Sequence, residues 1–110
     1  MFNEMQVSGG GGSTGYFNTD TASTSGKTYD LGFIPSMVLI YIKYPYSGRN
    51  YIETYRYDCS DNKIYQTDES SRFESDNTSY WSQYYQVNGT QVYFRAPDSV
   101  YASNMYIMAY

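Results

Sequence analysis

Residues 37–44 (MVLIYIKY) form an apolar run held between Pro35 and Pro45. A run of this length with little polar alternation belongs to a strand buried on both faces or lodged in an interface. It is therefore expected at the centre of a sheet, and Leu39→Asp is expected to abolish folding. Residues 51–57 alternate Tyr51, Glu53, Tyr55 and Tyr57 against Ile52, Thr54 and Arg56, the period-two signature of a strand. Cys59, Ser60, Asp61 and Asn62 supply a turn, and residues 63–67 return as the second arm of a hairpin. Residues 80–87 and 91–96 flank Asn88-Gly89-Thr90, a hairpin turn in which glycine supplies positive φ. Residues 104–110 (NMYIMAY) alternate again and close the chain as a strand.

Toward the N-terminus, residues 16–19 and 27–31 read as two strands split by the Ser/Thr-rich turn 22–26. Residues 8–15 (SGGGGSTG) form a flexible glycine-rich joint, which separates a leader, residues 1–7, that alternates Phe2, Met5 and Val7 with polar residues. Residues 68–78 carry Asp68, Glu69, Glu74 and Asp76 among serines and read as an exposed acidic loop or a weak edge strand. No segment shows a helical period. The pattern predicts an all-β chain: a single antiparallel β-sandwich or jelly-roll-like domain of about eight strands over residues 16–110, preceded by a leader and joint over residues 1–15.

Composition narrows the function. Sixteen of the 110 residues are tyrosine and none is histidine, so the chain is rich in amphipathic contact surface and poor in acid-base groups. The net charge is −4 and the seven basic residues are scattered, whereas a nucleic-acid surface needs a basic stripe. The single Cys59 allows no intramolecular disulfide and has acidic neighbours, Asp58 and Asp61, which do not activate a thiol. No basic, then apolar, signal segment opens the chain and no run is long enough to span a membrane. A product made in the cytoplasm without a signal peptide is expected, with no membrane insertion and no nucleic-acid partner.

Several motifs carry little chemistry. Gly26-Lys27-Thr28 resembles the end of a phosphate loop, but Thr21 stands where that motif needs its first glycine. The acidic residues lack the compact spacing of a calcium loop, and sequence does not place two carboxylates across one glycosidic bond. No catalytic residue, metal site or cofactor is expected. The signal that remains is aromatic clustering in loops: Tyr44, Tyr46, Arg49 and Tyr51 on one side and Tyr80, Trp81, Tyr84 and Tyr85 on the other. Flat rings with polar tips stack on sugar faces or pack on protein, with Arg49, Asn50, Asn77 and Ser82 as directional donors. The same rings also suit core packing or a subunit interface, and the pattern leaves both open.

The run Leu31-Gly32-Phe33-Ile34-Pro35 followed by residues 36–40 (SMVLI) resembles small bacteriophage and prophage virion proteins and tail-fibre domains. The hairpin at 86–96 and the closing strand at 105–110 extend the resemblance over roughly residues 16–110. Ile34 departs from the Lys or Gln common at that position, and the tyrosine density is unusual. In this motif Gly32 would turn the chain, Phe33 would plug one sheet end and Pro35 would set the next strand. The resemblance implies a non-enzymatic structural or adsorption role in the virion, at the tail tip or a fibre, with a host cell-surface glycan as ligand. It also implies contacts to other virion proteins through the leader and a homo-oligomer, a trimer by analogy with symmetric fibres. Alternatives are a capsid or neck decoration protein acting through subunit contacts, or a phage binding protein diversified in residues 80–88.

Overall fold

In the apolar run the side chains of Val38, Ile40 and Ile42 are fully buried and Tyr44 nearly so, while Met37, Leu39 and Tyr41 on the other face are half-exposed. One face of this strand is core and the other is not. In the computed structural model, which describes residues 3–8, 14–68, 74–75 and 78–110, the run forms β4 (Met37–Tyr46). Ten strands occur among the described residues, in two antiparallel sheets packed as a sandwich. The other nine are β1 (Asn3–Ser8), β2 (Thr14–Thr21), β3 (Lys27–Asp30), β5 (Arg49–Asp58), β6 (Lys63–Asp68), β7 (Glu74–Ser75), β8 (Tyr85–Asn88), β9 (Gln91–Phe94) and β10 (Asn104–Ala109). Seven strands run in the order β1-β2-β10-β4-β5-β6-β7, and three in the order β3-β9-β8. The central placement expected for the apolar run is what the order gives, with β4 fourth of seven.

The sandwich has one core. From the larger sheet, Ile40 lies in register with Ile107 on one side and Tyr55 on the other, and all three are fully buried. From the smaller sheet, Tyr29, Tyr85, Val92 and Phe94 face them. Tyr85 ties the layers together: its hydroxyl donates to the Val38 carbonyl at 2.8 Å, and its ring lies 5.9 Å from Tyr57 and 5.8 Å from Phe94. The outer face of the larger sheet, carrying Phe17, Leu39, Met108 and Tyr41, faces away from this core.

Local chemistry explains the connections. Tyr46 pairs with Arg49, so β4 and β5 meet in a two-residue turn, with Ser47 at φ 55° and Gly48 at φ 77°, the doubly left-handed geometry that matches strand twist. Pro45, expected to end the strand, instead sits in the ladder opposite Asn50, where a position that needs no donor accepts proline. In the 31–36 connection Leu31 is fully buried and donates its N–H to Thr90 O, while Gly32 turns at φ 81°. The plug expected of Phe33 is therefore Leu31, and Phe33 is only partly buried. Asp58 and Asp61 are engaged by the turn they flank, accepting from Ser60 N and Lys63 N.

Residues 80–87 differ from expectation. Thr78–Trp81 is a single helical turn, and the strand begins only at Tyr85. Thr78 Oγ1 accepts from Ile64 N on β6, and Ser82 N closes the turn on Thr78 O. Ser82, Gln83 and Gln86 donate side-chain hydrogen bonds to the carbonyls of Ser79, Tyr80 and Ser82. Short polar side chains that bond the local backbone compete with a ladder, and here they win. The edge strand expected within 68–78 is β7, whereas Glu69, Arg72, Asp76 and Asn77 and most of the glycine-rich joint lie outside the described residues. No helix among the described residues is long and apolar enough to cross a membrane.

Gly26, dismissed as a phosphate-loop glycine, has a packing reason. Its φ is +86°, and an added Cβ would collide with the Tyr93 hydroxyl and ring, whereas Gly48 at φ +77° faces open space. Gly26→Ala is expected to cost about 2–4 kcal/mol, combining left-handed strain with overpacking, against about 1–2 kcal/mol for Gly48→Ala. Urea denaturation midpoints check this, and equal losses at the two positions would contradict it.

Candidate functional site

Two ring clusters stand out, one at the β4–β5 hairpin tip and one on the helical turn that packs against Tyr55. The first is the β4–β5 hairpin tip, which a strand ladder rather than a loop holds in place. Tyr44 and Tyr51 are opposite one another in the ladder and stack at 5.8 Å with 25° between planes. Tyr46 meets Tyr51 edge-on at 6.2 Å and is 59% exposed. The Arg49 guanidinium lies 5.4 Å from the Tyr51 ring, an arrangement in which the cation is drawn to the π face.

The helical turn builds the second cluster. Tyr80 and Trp81 meet edge-on at 4.9 Å, and Tyr84 lies 5.6 Å from Tyr80 and 6.0 Å from Trp81. Tyr80 is 44% exposed. Arg95 lies 4.5 Å over the Tyr84 ring, and its Nε donates to Gln83 O at 3.0 Å. Each cluster therefore combines an exposed tyrosine with an arginine held over a ring.

Tyr101, which sequence reasoning missed, extends the first cluster. It packs edge-on against Tyr44 at 4.7 Å, and its phenol adds a minor part to the raising of the Tyr55 and Tyr80 hydroxyls. A 3-10 turn, Ser99–Tyr101, carries it, opened by Asp98, whose carboxylate accepts from Val100 N. Pro97-Asp98-Ser99 ahead of Val100-Tyr101 has the form of a helix start, and that is the signal that was available. Arg95, the second arginine, carried no sequence signal beyond its charge.

Beneath the rings lies a polar floor. Tyr55 is fully buried with its ring 5.3 Å from Trp81 and 5.2 Å from Phe94, and its hydroxyl has no hydrogen-bond partner among the described residues. Burial, and next the Glu53 carboxylate, push this phenol far above its ordinary pKa. Glu53 itself is buried and accepts a hydrogen bond from Gln66 Nε2. Tyr80 is raised as well, first by its hydrogen bond with Tyr84, so these phenols remain neutral donors at physiological pH.

Of the eight residues singled out from the sequence, Tyr46, Arg49 and Tyr80 are exposed, and Tyr51, Trp81 and Tyr84 are half-buried with part of each side chain at the surface. Tyr44 forms the floor of the hairpin tip. Tyr85 is not part of this surface: the strand alternation that begins at Tyr85 sends it into the core, where burial raises its phenol strongly. Cys59 lies elsewhere, beside Pro35, Tyr57 and Asn62, with its thiol raised by burial and by Asp58. No three Cys, Asp or Glu residues gather as metal ligands among the described residues.

No protein-family model matches the chain, and comparison with curated proteins and with solved structures likewise yields no match. The reading of the site rests on its own geometry.

Proposed function

We propose that the chain is a non-enzymatic binding module of a bacteriophage virion, a tail-tip or fibre component whose aromatic band contacts a cell-surface glycan. The observation that carries the binding half is the band itself. Tyr46, Tyr51, Tyr44 and Tyr101 run ring to ring, Tyr80, Trp81 and Tyr84 form a second group around the buried Tyr55, and Arg49 and Arg95 each lie over a ring of one group. Pyranose rings present flat C–H faces that stack on aromatic faces, while their hydroxyls take hydrogen bonds from phenol and guanidinium groups. The virion setting rests on the resemblance carried by residues 31–40. A second reading, a capsid or neck decoration protein acting through subunit contacts, draws on the half-exposed outer face of the larger sheet.

Retention on immobilised host cell-wall polysaccharide tests the binding half. Tyr46→Ala and Tyr80→Ala each remove a ring that is mostly outside the core, so each is expected to weaken binding about ten-fold, the effect of roughly 1.4 kcal/mol. The thermal midpoint should stay close to that of the parent chain. Retention unchanged in both variants would sink this assignment of the surface.

A further inference from the structure

Between the two ring groups the sheet carries a carboxylate. Tyr51, Glu53 and Tyr55 alternate along β5 and share its inner face, so each ring stands about 7 Å along the strand from Glu53. Tyr51 belongs to the hairpin-tip group through its stack on Tyr44, and Tyr55 anchors the helical-turn group through Trp81. Glu53 therefore lies between the groups, 4% exposed and opposite the fully buried Ile42 of β4. Gln66, paired with Tyr55 in the ladder, orients the carboxylate by donating from Nε2 to its Oε1. The Tyr55 hydroxyl beside it is buried with no partner among the described residues, and the carboxylate is near enough to raise that phenol. Polar groups brought together in a core cost stability unless something bonds them.

We infer that Glu53 and the Tyr55 hydroxyl form a subsite for an ammonium group, and that the glycan contacted by the aromatic rings carries a free amino sugar. The inference rests on the glycan reading of those rings and names their ligand more closely. A carboxylate in low-dielectric surroundings attracts a cation more strongly than an exposed one does. The rings on either side add their negative π faces, and Arg49 and Arg95 over Tyr51 and Tyr84 show that rings of both groups take a cation. An ammonium offers N–H donors and no acceptor, and the carboxylate and the phenol oxygen both accept.

Other sugar substituents match less of this arrangement. A hydroxyl brings hydrogen bonds but no charge, an N-acetylated amine has lost its charge, and a carboxylated sugar meets Glu53 as a like charge. The net charge of −4 adds the same preference at longer range. Glu53 is covered, so an amine reaches it when a neighbouring side chain gives way. Tyr101 on its three-residue turn and Tyr80 on its four-residue turn are held by fewer backbone bonds than the ladder tyrosines, and such short elements open most easily.

Titration of Trp81 fluorescence with three β-1,4-linked tetrasaccharides, of glucosamine, of N-acetylglucosamine and of glucose, tests the inference. The glucosamine tetramer is expected to bind at least about ten-fold more tightly than the other two. Glu53→Gln, close to the parent side chain in shape, should abolish that preference with an unchanged circular-dichroism spectrum. Tyr55→Phe, which removes only the oxygen, should reduce it several-fold. Asp30→Asn, at an exposed carboxylate of β3, should keep it, which separates the subsite from general attraction of a cation to an acidic chain. Equal binding of the three tetramers would overturn the inference while leaving the glycan surface standing, and binding of none of them would overturn both. A preference that survives in folded Glu53→Gln and Tyr55→Phe, or one that Asp30→Asn removes equally, would also overturn it.

Discussion

Ile40→Asp abolishes the folded domain, while Leu39→Asp leaves it standing: this is the result expected from the two faces of β4. Ile40 is fully buried between Ile107 and Tyr55. Truncating such a residue to alanine removes about 2–5 kcal/mol, and an unpaired buried carboxylate adds several more. Together they approach the roughly 5–15 kcal/mol that holds a domain of this size. Leu39 points to the outer face, where polar substitution costs on the order of 1 kcal/mol. The sequence alone nominated Leu39 for this test, and the register shows that its neighbour is the sensitive position. Circular dichroism with urea denaturation decides between them, and a folded Ile40→Asp beside an unfolded Leu39→Asp would put the register off by one.

The second large effect separates two adjacent tyrosines. Tyr85→Ala is expected to lose about 3–5 kcal/mol, as core aromatic truncations do, because the ring fills the space between Tyr57 and Phe94. Tyr85→Phe isolates the hydroxyl, whose bond to Val38 O contributes about 1–2 kcal/mol once the carbonyl it leaves is counted. Tyr84→Ala, half-exposed beneath Arg95, should change stability by no more than about 1 kcal/mol and act on binding instead. A Tyr84→Ala loss equal to that of Tyr85→Ala would mean that the helical turn is part of the core.

These two contrasts show what a linear sequence reveals here. Period and turn chemistry were legible: the alternation at 51–57, the Asn88-Gly89 hairpin and the closing strand all appear where the residues place them. The central position of 37–44 followed from its apolarity, but apolarity on both faces hides which face is core. Tyrosine is the other source of ambiguity. Its ring is apolar and its tip polar, so Tyr85 in the core and Tyr80 at the surface look alike in sequence. The turn at Thr78–Trp81 is only four residues long, too short to show a period, and capping hydrogen bonds rather than hydrophobic spacing specify it. The insertion of β10 between β2 and β4, and the arrival of Tyr101 beside Tyr44, are long-range events with no local signature.

The most direct test of the account uses Trp81, the only tryptophan of the chain, which sits within the aromatic band between Tyr55, Tyr80 and Tyr84. Its fluorescence reports the band without a label. Titration with solubilised host cell-wall polysaccharide is expected to give a saturable change in emission that Tyr80→Ala weakens about ten-fold. An emission spectrum that stays flat to saturating polysaccharide, from a folded chain, would contradict the claim that this band is a glycan-binding surface.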